Sequence, residues 1–180
     1  LRRNAITPAE RADAALLALQ QFIRHPLFLA SQNIACYFAQ DHEFDCAPFL
    51  QAIWAAEKNA FLPVLADQQL TFAAYQPDDE LALNRYNIPE PANKKWIAAE
   101  ELDLVLVPLV GFDLQGARLG MGGGYYDRTF AFIAEKLAKK PYLIGLAYEC
   151  QYVEEVPEEV FDVALDAVLT ESSLYTFPRG

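Results

Sequence analysis

Leu102–Val107 reads LDLVLV and runs through Pro108 into Gly111–Asp113 (GFD), Gly116–Gly120 (GARLG) and Gly122–Arg128 (GGGYYDR). The apolar run is the strongest strand signal in the chain and has the pattern of a strand covered on both faces. The glycines after it place a flexible loop where such a strand ends. Tyr126, Phe130, Ile133 and Leu137 then recur at helical spacing, which predicts one helix after the loop. Strand, glycine loop and helix together predict a βαβ unit whose ligands lie beyond the carboxyl end of the strand.

Working outward, Thr7-Pro8-Ala9-Glu10 has a cap, a proline in the first turn and a capping-box glutamate. Ala12, Ala15, Leu16, Leu19, Phe22 and Ile23 give the following helix its predicted buried face, and Pro26 is expected to end it. Asn33–Phe38 (NIACYF), Phe61–Leu65, Leu70–Tyr75, Tyr142–Ala147 and Ala164–Leu169 read as further strands. A helix is expected from near Asp45, burying Leu50, Ile53 and Trp54. Gln76–Ala99, with Pro77, Pro89 and Pro91, reads as a long irregular connection, a kind of segment that is usually functional. The expectation is a single α/β domain over residues 1–180, a mostly parallel sheet flanked by helices on both faces.

Composition excludes several function classes. With 53% hydrophobic and 13% aromatic residues the chain is not disordered. No apolar run is long enough to span a membrane, and Leu1-Arg2-Arg3-Asn4 leads into polar sequence rather than a signal core. Cys36, Cys46 and Cys150 lack metal-type spacing and read as reduced thiols of a cytoplasmic protein. Two histidines make a histidine zinc site improbable. A net charge of −11 without a basic stripe excludes nucleic acid as a partner. An anionic small molecule then requires a locally positive pocket.

The segment Gly116–Arg128 supplies such chemistry. Glycines let backbone amides approach an anion, Arg118 offers a planar fork to phosphate oxygens, and Asp127 can face a hydrated magnesium ion carried by a nucleotide. Turn formation and packing are the plainer roles for the glycines and for Tyr125-Tyr126, and the combination with Arg118 favours the phosphate reading. The segment lacks the Gly-Lys-Ser/Thr ending of a P-loop and the last glycine of a dinucleotide fingerprint.

The whole segment resembles the signature of the 5-formyltetrahydrofolate cyclo-ligase family, V-P-G-x-x-F-D-x-x-G-x-R-L-G-x-G-x-G-Y-Y-D. Here it is carried by Val107-Pro108, Phe112-Asp113, Gly116, Arg118-Leu119-Gly120, Gly122 and Gly124-Tyr125-Tyr126-Asp127. Thr7–Glu10, Tyr37 through Glu43-Phe44-Asp45, Asn87–Pro91, Gln151 and Thr170 extend the resemblance over nearly the whole chain. It implies ATP- and magnesium-dependent ring closure of 5-formyltetrahydrofolate, with or without a polyglutamate tail, to 5,10-methenyltetrahydrofolate. It also implies that Arg118, Leu119, Gly120, Met121, Gly122, Gly123, Gly124, Tyr125, Tyr126 and Asp127 hold the nucleotide. Arg118, Tyr125 and Tyr126 are the implied catalytic residues, Asp127 the implied magnesium contact, and Phe38, Glu43 and Tyr86 the implied folate contacts.

The chain departs from the family at Met121 and Gly123, where some members carry basic residues, so phosphate charge must be met elsewhere. The family's amino-terminal phosphate-binding Lys and Arg are expected upstream of Leu1. Lys94, Lys95 and Arg85 are candidates for a polyglutamate tail, whereas Glu154, Glu155, Glu158 and Glu159 read as a solvated face. Trp96 is expected to pack, and Asp41-His42 to form a solvated turn. Two other functions fit parts of the pattern: a non-catalytic folate- or ATP-binding module, and a sugar-phosphate isomerase on a similar sheet. The isomerase would need a clear carboxylate or lysine base, and none stands out.

Overall fold

The computed structural model describes residues 2–179; Leu1 and Gly180 lie outside them. In chain order the elements are α1 (Pro8–Phe22), α2 (Pro26–Ala30), β1 (Asn33–Ala35), α3 (Ala47–Ala55), β2 (Asn59–Ala66), β3 (Gln69–Ala74), β4 (Leu81–Leu83), β5 (Pro89–Pro91) and β6 (Trp96–Ile97). There follow β7 (Leu104–Pro108), β8 (Gly111–Phe112), β9 (Arg118–Leu119), α4 (Tyr125–Phe130), α5 (Phe132–Glu135), β10 (Tyr142–Leu146), β11 (Ala167–Leu169) and β12 (Leu174–Thr176). Three short 3₁₀ turns, Arg2–Ala5, Ala99–Glu101 and Glu149–Gln151, punctuate the loops.

An eight-stranded sheet in the order β12-β11-β10-β7-β1-β2-β3-β6 organises the chain. Its central strands β11, β10, β7, β1 and β2 run parallel. The outer strands β12, β3 and β6 join antiparallel. The run LDLVLV shows how one strand builds two cores. Leu104 and Leu106 point into the layer beneath α1 and α3, with Phe22, Phe49, Leu50 and Ile53. Val105 and Val107 point into the opposite layer, with Phe130, Phe132 and Ile133. The expected α/β architecture, helices on both faces of a mostly parallel sheet, is the observed one.

Helix details differ from the sequence reading. The Thr7–Glu10 capping box forms in full, yet α1 buries Ala14, Ala15, Ala18 and Phe22, while Leu16 and Ile23 are exposed. Small alanines let the helix approach the sheet closely, so closeness of packing rather than side-chain size selects the face. Pro26 does not merely end α1; it opens α2, whose cap is the His25 side chain. The helix expected through Leu137 is two short pieces that meet at Ala131, and Leu137 is exposed with a positive φ of 49°.

The connection Gln76–Ala99 is partly ordered by the β4–β5 hairpin and the edge strand β6. Trp96, expected to pack, is 56% exposed on that edge. Trp54 lies half-buried against the core and donates its indole N–H to the Tyr75 carbonyl at 3.0 Å.

Candidate functional site

The parallel strands all end on one edge of the sheet, and the implied site residues collect there. After β1, the chain turns from Phe38 to Glu43. Glu43 Oε2 accepts the Gln40 backbone N–H at 2.8 Å, and the Glu43 N–H donates to the Gln40 carbonyl at 2.8 Å, closing a tight turn. Arg11 ties that turn to α1, donating to the Asp41 carbonyl at 3.2 Å and to His42 Nδ1. The turn expected to be merely solvated is therefore pinned. Gln40 Nε2 also reaches the Phe38 carbonyl at 3.3 Å. The Phe38 ring meets Tyr75 edge-on, with centroids 5.8 Å apart.

Burial pushes the Glu43 carboxyl above its ordinary value, against the Gln40 N–H and the nearby Arg3 charge. Arg3 lies in the turn before α1 and donates to the Leu109 carbonyl at 3.2 Å, just beyond β7. Burial and the Glu43 carboxylate also push up the Tyr126 phenol, against the opposing pull of Arg118. Glu43, Tyr126 and Arg118 are thus electrostatic neighbours, although Glu43 and Arg118 stand far apart in sequence.

The glycine-rich segment forms the opposite wall. β8 and β9 pair as a hairpin that presents Arg118. Arg118 Nη2 donates to Asp127 Oδ1 at 2.8 Å, and the two side chains are 9% and 15% exposed. The Arg118 guanidinium lies 5.9 Å from the Tyr126 ring centroid. Asp127 Oδ1 also accepts the Val163 N–H at 3.0 Å. Asp127 Oδ2 makes no hydrogen bond among the described residues. Among these residues no group of three or more histidine, cysteine or acidic side chains could hold a metal alone.

Tyr125 belongs to a second, more exposed cluster. Its hydroxyl accepts from Arg85 Nη2 at 2.8 Å and lies 3.2 Å from the Tyr86 hydroxyl. The bonds to Tyr86 and Arg85, with the charges of Arg85 and Arg128, pull this phenol below its ordinary value. Arg128 lies over the Tyr125 ring at 5.2 Å. It fastens the loop by donating to the Gly123 carbonyl at 2.6 Å and the Gln68 carbonyl at 2.5 Å. Leu119, Met121, Gly122 and Gly123 are exposed on this loop, and Gly120 and Gly124 are half-exposed.

The structure therefore joins Glu43, Arg118, Tyr126 and Asp127 in one group and Tyr125 with Tyr86 in another, linked through the adjacent tyrosines. Phe38 enters through the Gln40 turn. The sequence reading takes Arg128 as the end of the phosphate segment with no role of its own, does not assign Arg3 to the site, and misses Arg11. The role of Arg128 could have been read from its place directly after Tyr125-Tyr126-Asp127, but nothing local marks Arg11. A cleft of about 580 Å³ lined by Asp113, Gln115, Glu154, Glu155, Val156 and Glu158 contains none of the implied residues. Its carboxylates would repel phosphate.

The model of the 5-formyltetrahydrofolate cyclo-ligase family matches residues 1–171. The chain belongs to the 5-formyltetrahydrofolate cyclo-ligase family. It is 36% identical over 179 residues to the 5-formyltetrahydrofolate cyclo-ligase of Escherichia coli (strain K12), covering 97% of each chain. Against the enzyme of that name from Haemophilus influenzae it is 39% identical over 184 residues, covering 93% of this chain and 96% of the relative. The solution structure of Aquifex aeolicus 5,10-methenyltetrahydrofolate synthetase superposes with a TM-score of 0.84 at 28% identity, over 99% of this chain and 89% of that one. The fold and the ligase class expected from the cyclo-ligase signature stand. No helix among the described residues is long and apolar enough to cross a membrane.

Proposed function

We infer that this cyclo-ligase family member converts 5-formyltetrahydrofolate to 5,10-methenyltetrahydrofolate, consuming ATP with magnesium and releasing ADP and phosphate in the cytoplasm. The observation that carries the reading is the Arg118–Asp127 pair, 2.8 Å apart beside the Tyr126 ring on the glycine-rich segment, with the half-buried Glu43 carboxylate on the turn after β1. One side of that arrangement suits a polar heterocycle and the other suits phosphate.

The chemistry explains why both are needed. The formyl oxygen on N5 is amide-like, a weak nucleophile and a poor leaving group. Transfer of the γ-phosphoryl group to it makes a carbon that N10 can attack, and the oxygen then departs with phosphate. Positioning and charge neutralisation carry most of such a transfer. Glu43 accepts hydrogen bonds from the pterin amino and ring N–H groups. Phe38 and Tyr86 supply apolar walls. The loop from Arg118 to Asp127 holds the phosphates, with Arg118, Tyr125 and Tyr126 placed to meet charge developing on the transferred group. Asp127 would contact the hydrated magnesium through its carboxylate, and the ion would help neutralise the phosphates. A polyglutamate tail on the folate is compatible with the exposed Lys94 and Lys95.

The test is direct. The methenyl product is a conjugated amidinium that absorbs at longer wavelength than the formyl substrate. Full-length protein should produce this absorbance only with ATP and magnesium, and phosphate release should keep pace with product. ATP-independent product, or none at all, refutes the reading. Ligand binding without turnover would identify a non-catalytic module.

A further inference from the structure

Arg85, Arg118 and Arg128 surround the glycine-rich loop of a chain whose net charge is −11. They are not equivalent. Arg118 is largely buried and paired with Asp127, so the pair adds little net charge for an incoming anion even though Arg118 Nε and Nη1 can still donate. Arg128 has two of its nitrogens committed to the Gln68 and Gly123 carbonyls. Arg85 is exposed, has no carboxylate within ion-pair distance among the described residues, and makes hydrogen bonds through Nη2 only. One of those, to the Asp67 carbonyl, is 3.4 Å long and weak. Its Nε and Nη1 make no hydrogen bond within 3.5 Å among these residues, with the Tyr86 side chain as their neighbour.

The free side chain sits on a backbone that is already fixed. Buried Glu90 accepts from the Leu65 N–H at 2.8 Å and from Asn84 Nδ2 at 3.1 Å. Asn84 Oδ1 in turn accepts the N–H groups of Tyr86 at 2.8 Å and Ile88 at 3.1 Å. These bonds run from β2 to the turn between β4 and β5 and place Arg85 beside Ala66–Asp67, at the carboxyl edge of the sheet. Its guanidinium lies 5.1 Å from the Tyr86 ring centroid, and the Tyr125 hydroxyl holds one edge of the fork. A planar fork held at one edge, with its remaining donors open beside a glycine loop, fits phosphate oxygens.

We propose that Arg85 is a phosphate-binding residue of this nucleotide site, exchanging its weak bond to the Asp67 carbonyl for oxygens of the triphosphate beside Tyr125. It supplies the cation that Met121 and Gly123 do not. This rests on the reading of the loop as the nucleotide site.

Isothermal titration of full-length protein with ATP, with inorganic tripolyphosphate, and with mono- and polyglutamylated 5-formyltetrahydrofolate tests it on wild type, Arg85→Ala and Arg85→Lys. Losing a charge-assisted contact should weaken ATP and tripolyphosphate about 10- to 100-fold in Arg85→Ala. Arg85→Lys, which keeps charge but not the fork, should recover part of the loss, and both folates should stay within about twofold. The proposal is overturned if a normally folded Arg85→Ala binds ATP as wild type does. It is overturned equally if the loss falls on the polyglutamate tail instead. Arg85→Ala that binds ATP as tightly as a binding-competent wild type sinks only this assignment; wild type that binds neither ATP nor tripolyphosphate sinks the nucleotide reading with it.

Discussion

Replacing Arg118 by alanine should cost stability as well as ATP affinity, and the two costs can be separated. The guanidinium and the Asp127 carboxylate are 9% and 15% exposed and 2.8 Å apart. Truncation leaves that carboxylate largely out of water with one remaining donor, the Val163 N–H at 3.0 Å. Breaking a fully buried pair from one side costs about 3–5 kcal/mol, and losing a charge-assisted hydrogen bond about 1.5–3 kcal/mol. Residual exposure and the surviving donor place Arg118→Ala at about 2–3 kcal/mol. For a chain of this size that lowers Tm by roughly 4–12 °C. Urea unfolding of Arg118→Ala, Asp127→Ala and the double variant forms a cycle whose interaction energy should be about 1–3 kcal/mol. The double variant should be little worse than the single ones. Additivity to within about 0.5 kcal/mol would mean the pair does not act as a unit. ATP titration of the folded Arg118→Ala protein measures the other cost, since Nε and Nη1 make no hydrogen bond among the described residues and remain free for phosphate. Unchanged ATP affinity would remove Arg118 from the phosphate site and leave it a purely structural role.

Glu43→Gln should weaken 5-formyltetrahydrofolate binding about tenfold and leave ATP within twofold, by separate titrations. It should also raise Tm at neutral pH. Burial raises the native Glu43 value above the unfolded one, so the native state holds more proton in that window. Its contribution to stability is therefore full below the ordinary carboxylate range and lost as pH rises through the raised value. The gain in Glu43→Gln should vanish on acidification; a gain that persists there, or a neutral-pH loss, contradicts the burial argument. Gly116→Ala should cost about 2–4 kcal/mol in urea unfolding, because Gly116 has φ of +93° and an added Cβ would lie 3.0 Å from the Leu165 carbonyl oxygen. Gly122→Ala shares the φ but meets open space, so it should cost only about 1 kcal/mol; equal losses would refute the steric part.

What the sequence disclosed follows from the range of the forces involved. LDLVLV announces a doubly covered strand because its two faces alternate within a few residues. The Thr7–Glu10 cap is legible because both of its bonds close locally. The buried face of α1 is legible only in part: Ala15 and Phe22 are buried and Leu19 packs against the core as read, but Leu16 is equally good at helical spacing and only close approach to the sheet selects the alanines. The break between α4 and α5 and the exposed Leu137 likewise depend on where the sheet runs out of surface to cover. The site divides along the same line. Arg118 through Asp127 is contiguous, so its motif can be read directly. The Arg85–Tyr125 bond spans 40 positions and exists because Glu90 and Asn84 hold a turn against β2. Irregular sequence such as Gln76–Ala99 hides this kind of function, since its hydrogen bonds run to distant partners and leave no period behind. On the proposed reading, the glycine loop therefore gives the address of the phosphate site in the sequence. On the same reading its cation comes from Arg85, legible in the sequence as a candidate anion contact but not as the neighbour of Tyr125.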